Sequence, residues 1–366
     1  MINEINRSSI INKITKLTCI VFSVLVSLPA AVKAQDEVVP GGYTRAQVLK
    51  TTGLSAALSL ATITSTGFID STQVADVDLP GWFYGIIALE HIPLYALEPA
   101  QGIKYSALQT GLLGAHLATR SSPFRTLAPF NVYLKSSFYS TYQIYKTARL
   151  RAAPGVYSKA WKPHSFKELV TAPFQLKNFR HPIVWGPIAF ITISSTISVL
   201  TSEDAVHKTG EAYIDDKKVS PATAVPLALG LQLVHDMATA IGEEALYRGV
   251  IYEELRIEFG PKKAKIYDMV LFPAIHVPFD LARSAPIEEI AGLFILRSLS
   301  TLLFDIAYDK GGLPYSITMH GWRNFANNSA VWLQSAGVPS SNPPDRNSAS
   351  TSKAVSPRML SFTIWF

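Results

Sequence analysis

Apolar segments long enough to enter a bilayer recur along this 366-residue chain. A spanning helix needs roughly 17–25 predominantly apolar residues, because hydrocarbon offers no water to satisfy backbone groups. Candidate spans lie at 48–68, 80–98, 104–119, 182–201, 221–245, 266–282, 288–308 and 313–334. The 104–119 and 266–282 runs are short, and 48–68 is rich in Ser and Thr. The pattern predicts an all-α protein, a polytopic transmembrane helical bundle of about eight spans. Composition agrees with it. Apolar residues make up 48% of the chain and charged residues only 16%, against roughly 25% charged in an average soluble protein. The mean hydropathy of +0.20 leaves room for polar loops and a polar tail.

The N-terminus reads as a secretory signal. Arg7, Lys13 and Lys16 form a positive region, Leu17 to Val32 an apolar one, and Val32-Lys33-Ala34 a small-residue cleavage pattern before Gln35. An uncleaved first membrane helix is the rival reading. Cys19 is the only cysteine and lies inside the apolar run. A chain cut after Ala34 would carry no thiol nucleophile, no disulfide and no cysteine metal ligand.

The net charge of +6 is local in origin. Residues 120–180 hold eleven Lys/Arg and a single acid, Glu168. Aromatic residues (Phe138, Tyr139, Tyr142, Tyr145, Trp161) are interleaved with them. That mixture predicts a segment lying on anionic headgroups, with membrane lipid and not nucleic acid as its partner. Three spans after a cleaved signal place this block in the cytoplasm, as the positive-inside rule requires. The 202–220 loop, with five acids and three bases, then falls outside. The predicted organisation is a signal peptide (1–34), N-terminal spans (35–119), a basic interfacial segment (120–180), a C-terminal membrane core (181–334) and a disordered, Ser/Pro/Asn-rich tail (335–366).

Ionisable residues inside apolar spans are costly to keep, and function is the usual reason for keeping them. Three motifs stand out: Glu243-Glu244 to Arg248, Phe272 to His276, and His320 to Asn324. Glu244 and Arg248 are four residues apart, so they share a helix face and can pair. Glu243 is offset from Glu244 by about 100° and faces elsewhere; a carboxylate so placed is a candidate general base for water. His276 lies between Pro273 and Pro278, so satisfying a carbonyl freed by proline is its plainer role. His320 and Asn324 share a face and offer two donors to one point, as an oxyanion needs. Their plainer role is an interhelical polar contact. Asp236, seven residues before Glu243, lies on nearly the same face and could tune it. A zinc site from Glu243, His276 and His320 is admissible by ligand type, though the spacing does not specify one.

In order and spacing these motifs resemble the CAAX-protease and bacteriocin-processing (CPBP, or Abi) family of intramembrane peptidases, whose pattern is EExxxR, FxxxH and HxxxN or HxxxD. The approach Gly311-Gly312-Leu313-Pro314 to the last motif is also similar, and the resemblance covers roughly residues 181–334. It implies an intramembrane endopeptidase of the multi-pass bacterial inner membrane, acting on a peptide or protein substrate. Glu243 with His276 would activate water, His320 and Asn324 would stabilise the oxyanion, and Glu244 and Arg248 would support the site. It implies no obligatory cofactor, with zinc open. Arg297 stands where the family often has small residues, and would narrow or repurpose the substrate groove. Two rival classes stand beside this one. A non-catalytic membrane scaffold or immunity-type protein would keep the same fold, whereas a proton-coupled transporter would show internal repeats, which the sequence lacks.

Overall fold

The computed structural model describes residues 42–68, 92–119, 128–157, 161–214, 217–282 and 285–339. The expected signal peptide, Cys19, the first part of the 80–98 span and nearly all of the expected tail lie outside the described residues.

Helices dominate. In chain order they are α1 (Arg45–Phe68), α2 (Ile92–Leu97), α3 (Pro99–Thr119), α4 (Ala128–Leu150), α5 (Phe166–Thr171), α6 (Pro182–Thr201) and α7 (Val206–Thr209). A two-stranded antiparallel hairpin follows, β1 (Ala212–Ile214) against β2 (Lys217–Val219), with Tyr213 opposite Lys218. Then come α8 (Pro221–Leu246), a π-helical turn (Tyr247–Tyr252), α9 (Glu253–Ala274), α10 (Val277–Ala282), α11 (Ile287–Gly311) and α12 (Leu313–Ser335). The all-α expectation holds apart from the hairpin.

Among the described residues, three stretches are long and apolar enough to cross a membrane: Pro182–Thr209, Pro221–Ala274 and Ile287–Gly311. The remaining candidates at 48–68, 104–119 and 313–334 are helical without meeting that criterion. For the last, the cause is its polar content: His320, Arg323, Asn324, Asn327 and Asn328 all lie on α12. The expected 266–282 span is not one helix. It is interrupted between Ala274 and Val277, at His276. The Pro221–Ala274 stretch also bends within α9, where Gly260 takes φ 77° and ψ 163°. Only glycine adopts that backbone readily, and Pro261 then begins a new helical turn with its φ already set. α6 is the most lipid-like helix, exposing Trp185, Phe190, Ile193, Ile197 and Leu200.

The chain divides into two units. The first comprises Met1–Thr110, Leu134–Ser165 and Gly242–Asp305. Within it, Arg45 on α1 pairs with Glu254 at 3.0 Å and Glu258 at 2.7 Å on α9. Ser55 and Thr141 hydroxyls bond at 3.0 Å between α1 and α4. α4 departs from the headgroup expectation, because Phe138, Tyr139, Tyr142 and Tyr145 are all buried. Lys135 and Arg149 are buried as well, and each has a carboxylate partner, while the half-buried Lys146 donates to the His164 carbonyl at 3.2 Å. Arg149 pairs with Glu253 at 3.2 Å and lies over the Tyr157 and Trp161 rings at 4.4 and 4.2 Å. On α4 these aromatic residues are engaged in packing and ring contacts.

The second unit comprises Gly111–Tyr133, Phe166–Ile241 and Ile306–Phe366. Here α12 is pinned to the turn after α5. Trp322 Nε1 donates to the Pro173 carbonyl at 2.7 Å, and Thr318 Oγ1 donates to the Ala172 carbonyl at 3.0 Å. A small core of Val206, Ala212, Ile214, Ala224, Ala228 and Ala336, with Trp332 against it, seats the hairpin between the α7 and α8 segments.

Candidate active site

The first motif sits where α8 gives way to the π turn. A π turn inserts a residue into the helical ladder and often accompanies a functional site. Here it begins at Tyr247 and carries Arg248. Glu243 and Glu244, adjacent in sequence, meet different surroundings, as their angular offset predicts.

Glu244 faces a sealed ionic cluster built around Arg248. The guanidinium lies 3.2 Å from Glu244, 3.1 Å from Asp305 on α11 and 3.5 Å from Asp268 on α9. Its Nη2 also donates to the Thr301 carbonyl at 3.3 Å. Phe272 and Phe304 cover it, with ring centroids 4.9 and 5.1 Å from the guanidinium carbon. Every charged side chain of the cluster is fully buried. The i, i+4 pair expected from sequence is present, but two further carboxylates join it. Asp268 and Asp305 are the residues that sequence reasoning missed. The signal was there, since each is an acid inside an apolar helix.

Glu243 faces α4. Its Oε1 accepts a hydrogen bond from the Lys135 ammonium, and both side chains are almost completely buried. The approach is backbone-close. A Cβ placed on Gly242 would lie 2.4 Å from the Lys135 carbonyl oxygen, so glycine is what lets the two helices touch one residue before Glu243. Lys135 was not foreseen, because nothing in the sequence ties a lysine of the basic block to a glutamate more than a hundred residues on.

His276 belongs to the same unit and lies within Coulombic reach of Glu243, Lys135 and Arg297. Its ring is fixed by the prolines around it. The His276 amide donates to the Pro273 carbonyl at 3.0 Å, not to the Phe272 carbonyl four residues back. The Phe272 carbonyl is instead satisfied by His276 Nδ1, at 2.7 Å. A carbonyl only accepts, so Nδ1 carries the proton, and Nε2 is the acceptor of the neutral ring. Pro273 lacks the N–H that the Met269 carbonyl would otherwise receive; Ser298 Oγ on α11 donates there at 2.8 Å. The plainer role expected of His276 is therefore real, and it also orients the ring. Arg297 forms a buried two-pronged pair with Asp280, one contact at 3.2 Å. It is engaged with its own carboxylate, a feature the groove-narrowing expectation did not contain.

His320 and Asn324 belong to the second unit, side by side on α12, and both are buried. The helix is fixed at that level by a close approach: a Cβ on Gly321 would lie 2.7 Å from Met237 Sδ. Asn324 Nδ2 is buried and donates no hydrogen bond among the described residues. In the same unit Asp236 is saturated. It accepts from Gln232 at 2.7 Å and Asn328 at 2.9 Å, and meets His235 Nδ1 at 3.1 Å. That network accounts for Asp236 as a structural acceptor.

Among the described residues, no three His, Cys, Asp or Glu side chains gather in a way that could hold a metal ion.

Comparison with known proteins meets the same segment. Residues 226–326 match the family described as type II CAAX prenyl endopeptidase Rce1-like. The segment is similar to that family. The matched residues run from mid-α8 to α12 and include all seven motif positions, from Glu243 to Asn324. Lys135 lies outside them. No curated protein and no solved structure matches the chain. The chain thus carries a segment similar to a protease family, together with three helices long and apolar enough to cross a membrane among the described residues.

Proposed function

We propose that the chain is a multi-pass membrane endopeptidase of the CAAX type, hydrolysing a peptide bond close to the membrane surface. The observation that carries this reading is the Rce1-like segment, which contains a buried glutamate beside a histidine of fixed tautomer. In the proposed reaction the Glu243 carboxylate takes a proton from water as the water oxygen attacks the scissile carbonyl carbon. His276, through Nε2, holds that water or shares its proton. His320 and Asn324 are the oxyanion donors that the family resemblance suggests, and Asn324 suits that role because its buried Nδ2 donates no hydrogen bond among the described residues. Collapse of the tetrahedral intermediate breaks the C–N bond, and the proton taken from water passes to the leaving amine. Glu244 and Arg248 hold the helix end from which Glu243 projects. No step is routed through a metal.

The substrate class named by the family is a prenylated C-terminal CAAX peptide, and a peptide with its lipid in the bilayer suits a site among apolar helices. The test is cleavage of a farnesylated CAAX peptide by purified protein in detergent, read by mass spectrometry. Release of the C-terminal tripeptide is expected. A folded protein that leaves both prenylated and unprenylated peptides intact would favour the non-catalytic scaffold. Membrane placement is tested separately with Lys162→Cys and Glu203→Cys in a chain lacking Cys19. Intact bacterial cells should shield the first from an impermeant thiol reagent and expose the second.

A further inference from the structure

We propose that Lys135 is a positioning residue for the reaction, an ammonium supplied from outside the Rce1-like segment that keeps Glu243 ionised and aimed. The inference deepens the proposed function and rests on it for its catalytic meaning. Two independent features of the structure support it. One is the direct ion pair between Lys135 Nζ and Glu243 Oε1, with both side chains buried. The other is Gly242, whose missing side chain lets the α4 backbone come close enough for the lysine to reach.

The physical case starts from desolvation. A carboxyl taken out of water favours its neutral form. Neutral glutamic acid cannot remove a proton from water, so burial by itself disables Glu243 as a base. An opposite charge in contact reverses this and typically lowers a carboxyl pKa by about 1–3 units. The other titratable and charged groups facing Glu243 within its unit are Tyr247, on the π turn following its own helix, and His276, between α9 and α10. Arg297 stands beyond His276 and is matched by Asp280. Arg248 is turned to Glu244, Asp268 and Asp305. Lys135 is a cation in direct contact with Glu243. It binds through one carboxylate oxygen, and a carboxylate has a second one with which to accept a proton.

The alternative is a simple structural ion pair. A structural pair would set stability only, whereas a charge-setting lysine also moves the titration of Glu243. Dicyclohexylcarbodiimide reports this without substrate, because it modifies buried carboxyls only when they are protonated. Labelling of Glu243 would be mapped by mass spectrometry from pH 5 to 9 in the full-length protein, with Glu243→Gln as the blank. Wild-type protein should resist labelling at pH 7. Lys135→Met should label there, its profile displaced upward by about one unit or more, and Lys135→Arg should follow wild type. With a CAAX peptide as substrate, the acid limb of kcat/KM should move in the same direction in Lys135→Met and be restored in Lys135→Arg. Ready labelling of wild-type Glu243 at pH 7, which needs no variant, would overturn the proposal. Superimposable profiles for wild type and Lys135→Met would overturn it too. Failure of the peptide assay alone would remove the peptidase reading and leave the labelling result standing.

Discussion

Two ionic clusters lie a residue apart on one helix end, and they are built on opposite principles. Around Arg248 a single guanidinium serves three carboxylates between two phenyl rings. Around Glu243 a single carboxylate meets one ammonium, with a histidine nearby. The first cluster draws its members from the α8 end, α9 and α11, and its cation is held by several fixed acceptors. Such a group locks geometry and has little freedom for chemistry. The second is sparse. Removing Lys135 there is expected to change the charge state of Glu243. Adjacent glutamates thus divide structure from chemistry.

The sharpest way to break this contrast is to remove the hub. Arg248→Leu would leave three buried carboxylates without their cation, and breaking a buried pair costs about 3–5 kcal/mol. We expect no stable protein after detergent extraction, judged by gel filtration and thermal unfolding. A variant that melts as wild type would show the cluster to be dispensable. Asn324→Ala comes next. It should leave the melting temperature nearly unchanged and lower kcat by about 10²–10³-fold, the usual cost of one oxyanion donor, with little change in KM. An effect confined to KM would make Asn324 a binding residue instead. Asp305→Asn sharpens the first cluster, since Asp305 has Glu244 and Asp268 as company on the same arginine. It should cost about 1–3 kcal/mol, the range for a buried polar group that loses its best partner, with turnover per folded molecule preserved.

The smallest effect belongs to the exposed hairpin. Lys218, then the Tyr213 hydroxyl, hold the Glu211 carboxyl below its ordinary value. A depressed carboxyl pKa contributes stability above its unfolded pKa and loses it as pH falls through the folded one. The pair is open to solvent, where such contributions are small. Lys218→Ala should therefore leave the melting temperature unchanged at pH 7. A clear drop would mean that the hairpin is tied into the fold more firmly than its contacts show.

Local spacing made some of this legible in the sequence and left the rest hidden. Glu244 and Arg248 pair because four residues make one helical turn. His276 answers a carbonyl because of the proline pattern around it. Asp268 and Asp305 followed the same rule as the glutamates, acids in apolar helices, but no spacing linked them to Arg248. Lys135 was read with its neighbours as a lipid-facing basic block, since composition cannot distinguish a solvated cation from a buried one with a distant partner. The break at Gly260 and Pro261 and the interruption at His276 also defeat span counting, because an apolar window does not reveal where a helix stops.

The most direct test of the division between the two glutamates is to measure turnover and melting temperature together in Glu243→Gln and Glu244→Gln, with the farnesylated CAAX peptide as substrate. Loss of a base acting on water typically costs about 10²–10⁴-fold. Glu243→Gln should lose that much kcat while melting close to wild type. Glu244→Gln should melt earlier and keep turnover per folded molecule within an order of magnitude. A folded Glu243→Gln protein that turns over as wild type would contradict the account.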